Sequence, residues 1–439
     1  MRNKSAKAVE EVIACVIDYG TFTALADKLA ETMKTVYYYT PCEQEYKTIQ
    51  DYMNGEGMAH AIKITDFFAP DIFKTIDLFI FPDIGYGGLQ RHLVSLGKAV
   101  WGSMGADELE LYRDFFIQTL KEVGLPTVKS KTIQGLTALG KYLKEVNNKW
   151  IKINCYRANM ETWHHLNYEH SVRKLEGLAI IFGGTKEQIT FVVQDEIESD
   201  VECGYDGWCI NGQFPQSTFQ GYEKKNELYL AALTKNSELP KEILYVNEKM
   251  ALVLEEYGYK NWWATEIRVS KGVPYFIDPT ARHPGQSGEH FWETCLNLAD
   301  IIWQGANNNI ITPIYGWPFA AEATLHYDAM SDNTAIGEEW MTLDIPKNVR
   351  RWFKPYHYCI IDGIYHFAPS KKGEVGVIIG VGDTVKETID QIKKHLKTMD
   401  ALPVYAITAG FVDLLESIKE AEKSGINFAD KIPSPKSIL

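Results

Sequence analysis

The sequence predicts an α/β protein of more than one domain, on three observations. Short apolar runs alternate with amphipathic stretches along most of the chain, the pattern of strands laid against helices. Those runs are bounded by Gly, Pro and Asp and are too short to span a bilayer. A chain of 439 residues exceeds one ordinary core, so two to four domains are expected. Its 45% hydrophobic and 12% aromatic content is that of a globular protein. A formal net charge of −13 argues against unaided binding to nucleic acid or an anionic membrane, though it leaves room for a local basic pocket. The seven cysteines are odd in number and form no Cys-x-x-Cys pair, which suits free thiols in a reducing cytoplasm. The opening MRNKSAKAVEEV has no apolar signal core, so a cytoplasmic location is expected.

In chain order, Val12–Asp18 is an apolar run closed by Tyr19-Gly20, Leu25–Met33 an amphipathic helix and Thr35–Tyr39 a strand. Strand, turn, helix, strand is how an α/β sheet begins. Ile76–Phe81 leads into PDIGYGGLQ, whose Gly85, Gly87 and Gly88 precede a helix ending near Leu96; that turn either cradles an anion or is simply tight. Ala99–Gly102 is a short strand. Asp107–Val123 reads as one helix, with Leu109, Tyr112, Phe116, Leu120 and Val123 on its apolar stripe and Arg113 off it. A helix over Leu136–Val146 follows. In Trp150–Asn154, Lys152 sits inside an apolar strand, so either its charge is paired or used, or the strand is an edge. His164, His165 and His170 match no zinc spacing and read as a solvated or partner-facing loop. Ser171–Phe182, Pro240–Tyr257 and His290–Gln304 read as helices and Thr190–Gln194 as a strand. Beyond about Met330 a smaller unit is expected, with strands at Tyr358–Ile361, Ile364–Phe367 and Val375–Gly380. Its helix over Thr384–Met399 opens on a Thr384/Glu387 capping box.

The densest chemistry lies in Ala264–Glu289. Thr265–Val269 and Pro274–Asp278 read as a hairpin turned at Lys271-Gly272, which sets Glu266 and Asp278 on facing strands. Two hard carboxylates facing one another suit a magnesium ion carrying phosphates. Arg282 follows, a fork for phosphate or carboxylate. Taken alone, the same residues also fit a surface hairpin with solvated charges.

The order of these pieces resembles the ATP-grasp superfamily, and most of all its purine-biosynthetic branch of phosphoribosylamine–glycine ligases. LELYRDFFIQTLKEVGLPT resembles the family helix bearing a first phosphate-contacting lysine, with Arg113 in the lysine position. KWIKIN resembles the strand of the second ATP lysine, matched by Lys152. FVVQDEI resembles the hinge, where Gln194, Asp195, Glu196 and Ile197 would line adenine, and Glu202 resembles the acidic residue that follows. TEIRV and FIDPTAR resemble the metal strands: Glu266 and Asp278 as carboxylates, Thr280 where asparagine is usual, and Arg282 beyond. The fold so implied is α/β ATP-grasp: an N-terminal Rossmann-like pre-ATP-grasp domain (1–105), an ATP-grasp domain (106–330, with a lid subdomain about 127–196) and a small C-terminal α/β domain (331–439).

The implied activity is that of an ATP-dependent carboxylate–amine ligase using ATP and Mg2+. An acyl phosphate forms, an amine attacks it, and ADP and phosphate leave, with Lys152 and Arg282 in catalytic roles. The implied partners are small-molecule carboxylate and amine substrates, with no membrane or nucleic acid, in a monomer or a homodimer. Three departures accompany the resemblance. CYRANMETWHH replaces a Gly-rich phosphate lid, the basic Gly-rich substrate motif is absent, and Thr280 stands for asparagine. In place of the substrate motif the chain has Glu202, Tyr205, Asp206, Trp208, Gln213, Phe214 and Gln216, groups suited to a neutral or cationic amine, or to a ring, but not to a phosphate. The alternative reading is a catalytically degenerate nucleotide-binding or scaffold module.

Overall fold

The structure, a computed structural model, describes residues 7–41, 53–155, 162–198, 201–327, 341–367 and 373–428. The chain opens with a parallel sheet built from β1 (Ile13–Ile17), β2 (Thr35–Tyr39), β3 (Ile62–Lys63), β4 (Leu78–Ile80) and β5 (Ala99–Trp101), in the order β3-β2-β1-β4-β5. Helices over Thr23–Ala30 and Gly87–Ser95 connect its strands. Strands buried on both faces explain the unbroken apolar runs that mark β1 and β4 in the sequence.

Next comes an antiparallel four-stranded sheet of β6 (Ser130–Gln134), β7 (Lys149–Ile153), β8 (Thr162–His165) and β9 (Thr190–Asp195), ordered β6-β9-β7-β8. Two helices, Leu136–Leu143 and Tyr168–Phe182, pack on it around Leu139, Leu143, Ile151, Leu178 and Phe191, a core separate from the rest. This unit, hereafter the lid, falls within the expected lid subdomain. β7 is interior, so Lys152 is not an edge lysine. Of the segment CYRANMETWHH, residues 156–161 lie outside the described residues. His165 is buried and bonded to Ser171 and Val146, His164 stacks flat on Trp150, and His170 is exposed on the following helix, so the three histidines do not gather.

The main body is one antiparallel sheet of nine strands. Its first six are β10 (Val201–Ile210), β11 (Ser217–Lys224), β12 (Leu228–Lys235), β13 (Lys260–Ser270), β14 (Val273–Thr280) and β15 (Phe319–Tyr327). The C-terminal segment supplies β16 (Met341–Leu343), β17 (Phe353–Pro355), β18 (Tyr358–Ile361), β19 (Ile364–Phe367), β20 (Glu374–Gly382) and β21 (Val404–Tyr405). The large sheet runs β14-β13-β10-β11-β12-β15-β20-β17 with β21 beside β15, while β16, β19 and β18 form a small sheet of their own. Strands from both sides of the expected 330/331 boundary therefore share one sheet. The helix Val385–Thr398 begins at Thr384, whose hydroxyl accepts the Glu387 N–H at 3.2 Å, while Glu387 reaches back to the N–H of Asp383.

Two helices expected whole are broken. Asp107–Val123 is interrupted at Tyr112, which is extended (φ −104°, ψ 92°), giving helices Glu108–Leu111 and Arg113–Glu122. The break is held from outside: Asn154 Oδ1 accepts the Arg113 N–H at 2.7 Å, and the Leu111 carbonyl accepts the Cys155 N–H at 3.0 Å. The reach of β7 thus ties the lid to this kink. His290–Gln304 likewise divides into Phe291–Thr294 and Leu298–Ala306, because the Leu296 and Gly316 N–H groups bond across the intervening stretch to the Ile314 and Thr294 carbonyls.

Candidate active site

The hairpin forms as its sequence dictates. Lys271 and Gly272 take φ of 52° and 76°, the left-handed pair of a type I′ turn, which only a glycine or a tolerant polar residue enters cheaply. Its register sets Glu266 directly opposite Asp278, and Gly204 of β10 opposite Glu266 on the other side. Glu202, Glu266, Asp278, Thr280 and Arg282 all border one cavity of about 1850 Å3 on the face of the large sheet. Its wall is completed by Thr162 and Ile181 of the lid, Thr21 of the N-terminal domain, and Tyr356 and His357 of the C-terminal segment.

Two cations come in from other elements. Lys152 Nζ leaves the lid sheet and donates to the Ile277 carbonyl of β14 at 3.0 Å. Arg113 is buried, 3% exposed, and its guanidinium forms an ion pair with Asp278. Burial, with Glu202 and Asp278 close by, pushes the Glu266 carboxyl well above the ordinary carboxylate range, while Lys152 and Arg268 oppose the rise. A site so negative accommodates a divalent cation; Glu266 and Asp278 would hold it, with Thr280 beside them. Arg113 is a competitor for Asp278, and among the described residues no cluster of three or more metal-ligating side chains is already assembled.

Arg282 is fixed by Glu110, which is fully buried. Its Nε lies 3.1 Å from Glu110 Oε1, and Glu110 Oε2 accepts the Ala281 N–H at 3.0 Å. The hinge residues stand apart: Gln194, Asp195, Glu196 and Ile197 do not border the cavity. Asp195 pairs with Lys149 at 2.9 Å, and Glu196 accepts the Trp150 indole and lies 3.2 Å from His164, so the side chains of this segment are engaged within the lid.

The aromatic expectation for the amine end needs correction. Tyr205 and Trp208 are in the core, the Tyr205 hydroxyl donating to the Trp208 carbonyl at 3.1 Å, and Gln213, Phe214 and Gln216 do not border the cavity. Side chains of a strand alternate between faces, so Glu202 and Asp206 share the cavity face while Tyr205 points away. The rings that do border the cavity are Tyr222, Tyr229, Tyr356 and His357. Sequence reasoning missed them, together with Glu289, His290 and Glu322 beneath. The Tyr356 hydroxyl donates to Glu289 Oε1 at 2.8 Å, and His290 Nδ1 lies 2.8 Å from Glu322 Oε1. No local motif signals this cluster, because β12–β15 pairing and the C-terminal segment assemble it.

Comparison with solved structures places the architecture. The structure superposes on phosphoribosylamine–glycine ligase from Thermotoga maritima with a TM-score of 0.64, at 15% identity, over 90% of this chain and 98% of that one. The chain has the ATP-grasp fold. It also matches the biotin carboxylase domain of Hydrogenobacter thermophilus 2-oxoglutarate carboxylase, solved with MgADP, ADP and bicarbonate (TM-score 0.62, 14% identity, 95% and 96% covered). N5-carboxyaminoimidazole synthetase from Staphylococcus aureus, solved with ADP, gives 0.58 at 14% identity over 90% and 98%. No protein-family model and no curated sequence matches the chain. Each of these neighbours is matched over nearly its whole length at 14–15% identity. No helix among the described residues is long and apolar enough to cross a membrane.

Proposed function

We propose that this ATP-grasp chain is an ATP-dependent carboxylate–amine ligase working through an acyl phosphate. The observation that carries the reading is the direct pairing of Glu266 with Asp278 at the wall of a large cavity, with Lys152 reaching from the other sheet to the Ile277 carbonyl beside Asp278. In this reading adenine lies at the hinge of Gln194–Ile197, held by backbone groups. Lys152, Arg113 and Arg282 stabilise charge as the phosphoryl group moves to the carboxylate. Magnesium, when bound between Glu266 and Asp278, would neutralise phosphate charge. Arg113 has to exchange Asp278 for phosphate as nucleotide enters, a swap in which each charge keeps a partner. The partners are a small carboxylic acid and an amine, in a monomer or homodimer, and the setting is the cytoplasm.

The test is nucleotide binding followed by turnover. Millimolar MgATP should raise the melting temperature, since a ligand of the native state alone stabilises it. ADP release should then answer to particular carboxylate and amine pairs. No shift with MgATP would remove both this reading and its rival. The rival, a degenerate nucleotide-binding module, is favoured by one observation: the Arg113–Asp278 ion pair already occupies a metal carboxylate. A shift without any stimulated ADP release would support it.

A further inference from the structure

Strand β10 leaves the hinge at Val201, crosses the Glu266–Asp278 row at Gly204, and brings Asp206 to the same face further along. Asp206 stands opposite Ala264, and Ala264 opposite Thr280. A residue so placed is the diagonal neighbour of Glu266, roughly 7–8 Å between backbones. On the ligase reading it therefore lies past the Glu266–Asp278 row on the side away from the adenine hinge, which is free for a second substrate.

Its surroundings are built. The Tyr229 hydroxyl donates to Asp206 Oδ2 at 2.6 Å. Tyr229 can lie there because position 221 is glycine: a Cβ on Gly221 would come within 1.9 Å of the phenol oxygen. The His290 ring packs against the Tyr229 ring, centroids 5.4 Å apart. Glu322 Oε1 in turn fixes His290, accepting its backbone N–H at 2.7 Å and lying 2.8 Å from Nδ1. His290 is fully buried, and its Nε2 has no hydrogen-bond partner. Glu223, on the neighbouring strand, also borders the cavity.

We propose that Asp206 binds the ammonium group of the amine substrate and takes its proton as the amine attacks the acyl phosphate, and that this amine is a cation without a phosphate. The inference rests on the ligase reading above. In the step, Asp206 carboxylate accepts one proton from R-NH3+. The nitrogen lone pair forms the C–N bond, the bond between the acyl carbon and the phosphate oxygen breaks, and inorganic phosphate leaves with that electron pair and with the second proton, shed by the new amide nitrogen. Asp206 then gives its proton to solvent. A phosphate group on the amine would face Asp206 and Glu223; Lys225 and Arg282 offset Glu223, and neither offsets Asp206. Burial brings Asp206 to about 7, opposed by the Tyr229 hydrogen bond and the nearby His290 and reinforced by Glu223, so the carboxyl can both hold and release a proton near neutrality. Tyr229 and His290 are positioning residues.

The test separates formation of the acyl phosphate from its capture. The full chain is given MgATP, a pool of small carboxylic acids, and either hydroxylamine, which is uncharged at neutral pH, or one of putrescine, cadaverine and lysine. Hydroxamate and ADP are measured. The unaltered chain should form hydroxamate and turn over at least one cationic amine, with a rate that rises with pH and levels off above about 7. Asp206→Asn should keep hydroxamate formation within about threefold and lose amine-dependent release by about a hundredfold or more, the usual worth of a general base. Tyr229→Phe removes a hydrogen bond that favours the ionised form, so the acid limb of the amine profile should move to higher pH while the hydroxylamine rate stays. Equal loss of both rates in Asp206→Asn, or loss of neither, would overturn the inference. So would hydroxamate from the unaltered chain with none of the three amines accepted, which leaves the ligase reading standing. Absence of hydroxamate from the unaltered chain would overturn the ligase reading itself.

Discussion

Glu293→Gln should destabilise the main body by about 3 kcal/mol, the lower end of the usual range for breaking a buried ion pair. Glu293 joins three parts of the molecule. Its Oε1 lies 2.6 Å from Lys354 Nζ and 3.3 Å from Lys28 Nζ, and its Oε2 lies 2.7 Å from Arg351 Nε. The side chains of Glu293 and Lys354 are only 1% and 8% exposed, whereas Arg351 is 55% exposed. The Lys354 contact therefore dominates; removing one partner of such a buried pair costs about 3–5 kcal/mol. The more solvated Lys28 and Arg351 add about 0–1 kcal/mol each. Lys354 keeps a 2.8 Å bond to the Arg351 carbonyl, and a glutamine oxygen can still accept from it, which sets the expectation near the lower limit.

Urea unfolding followed by tryptophan emission measures this, read on the transition of the body that holds Trp101, Trp262 and Trp292, since the lid has a core of its own. Lys354→Met should show a similar loss. The double variant should fall short of the sum by about 1–3 kcal/mol, because no buried charge is then left unpaired. The pH dependence has a definite sign. Burial works to raise the Glu293 pKa, and Lys354 and Lys28 more than offset it, leaving it below 4.5. A carboxyl depressed on folding stabilises above its unfolded pKa and loses that stability as pH falls through the folded value. The gap between the parent and Glu293→Gln should accordingly close below about pH 4.5. A Glu293→Gln loss under about 0.5 kcal/mol, or full additivity with Lys354→Met, would refute the reasoning.

The other predictions concern the site and one cap. Lys152→Ala should weaken MgATP, seen as a smaller thermal shift, since the cation that reaches β14 from the lid sheet is then lost. Asp278→Asn should lower turnover of any pair found by screening by about a hundredfold, as loss of one charge stabiliser does, and should also lower stability because Arg113 is buried against it. Gly221→Ala should displace Tyr229 and remove amine-dependent turnover while MgATP still shifts the melting temperature, with an overpacking loss of about 1–3 kcal/mol. Thr384→Ala should cost about 1 kcal/mol, measured by the same urea melts.

What was legible in the sequence was what local physics fixes. The hairpin was readable because Lys271-Gly272 admits one turn type and the strand period then puts Glu266 and Asp278 together. For Lys152 the sequence left two choices, a paired or used charge or an edge strand, and the strand is interior with the ammonium bonded to the Ile277 carbonyl. The kink at Tyr112 was not, because its hydrogen bonds come from Asn154 and Cys155, and the apolar stripe runs on through it. Arg113 lies off that stripe, yet it is buried, because its partner Asp278 comes from strand β14. Asp206 shares the alternation of Glu202-x-Gly204-x-Asp206, so its facing could be read, whereas the Tyr229, His290 and Glu322 that support it are joined only by tertiary pairing.

The span of the large sheet across the chain has a consequence for synthesis. β12 and β15 carry the apolar stretches LYLAALTK and FAAEATLHY, and β15 is covered on its far side by β20, which ends at Gly382. During vectorial synthesis the N-terminal part emerges first. For as long as the ribosome has not yet released residue 382, the nascent sheet presents an apolar, hydrogen-bond-hungry border to its neighbours on the polysome. Slow passage through that interval, or a stop codon within it, would thus yield aggregating material in place of a shortened soluble protein, and a holdase acting on the nascent chain would matter most there.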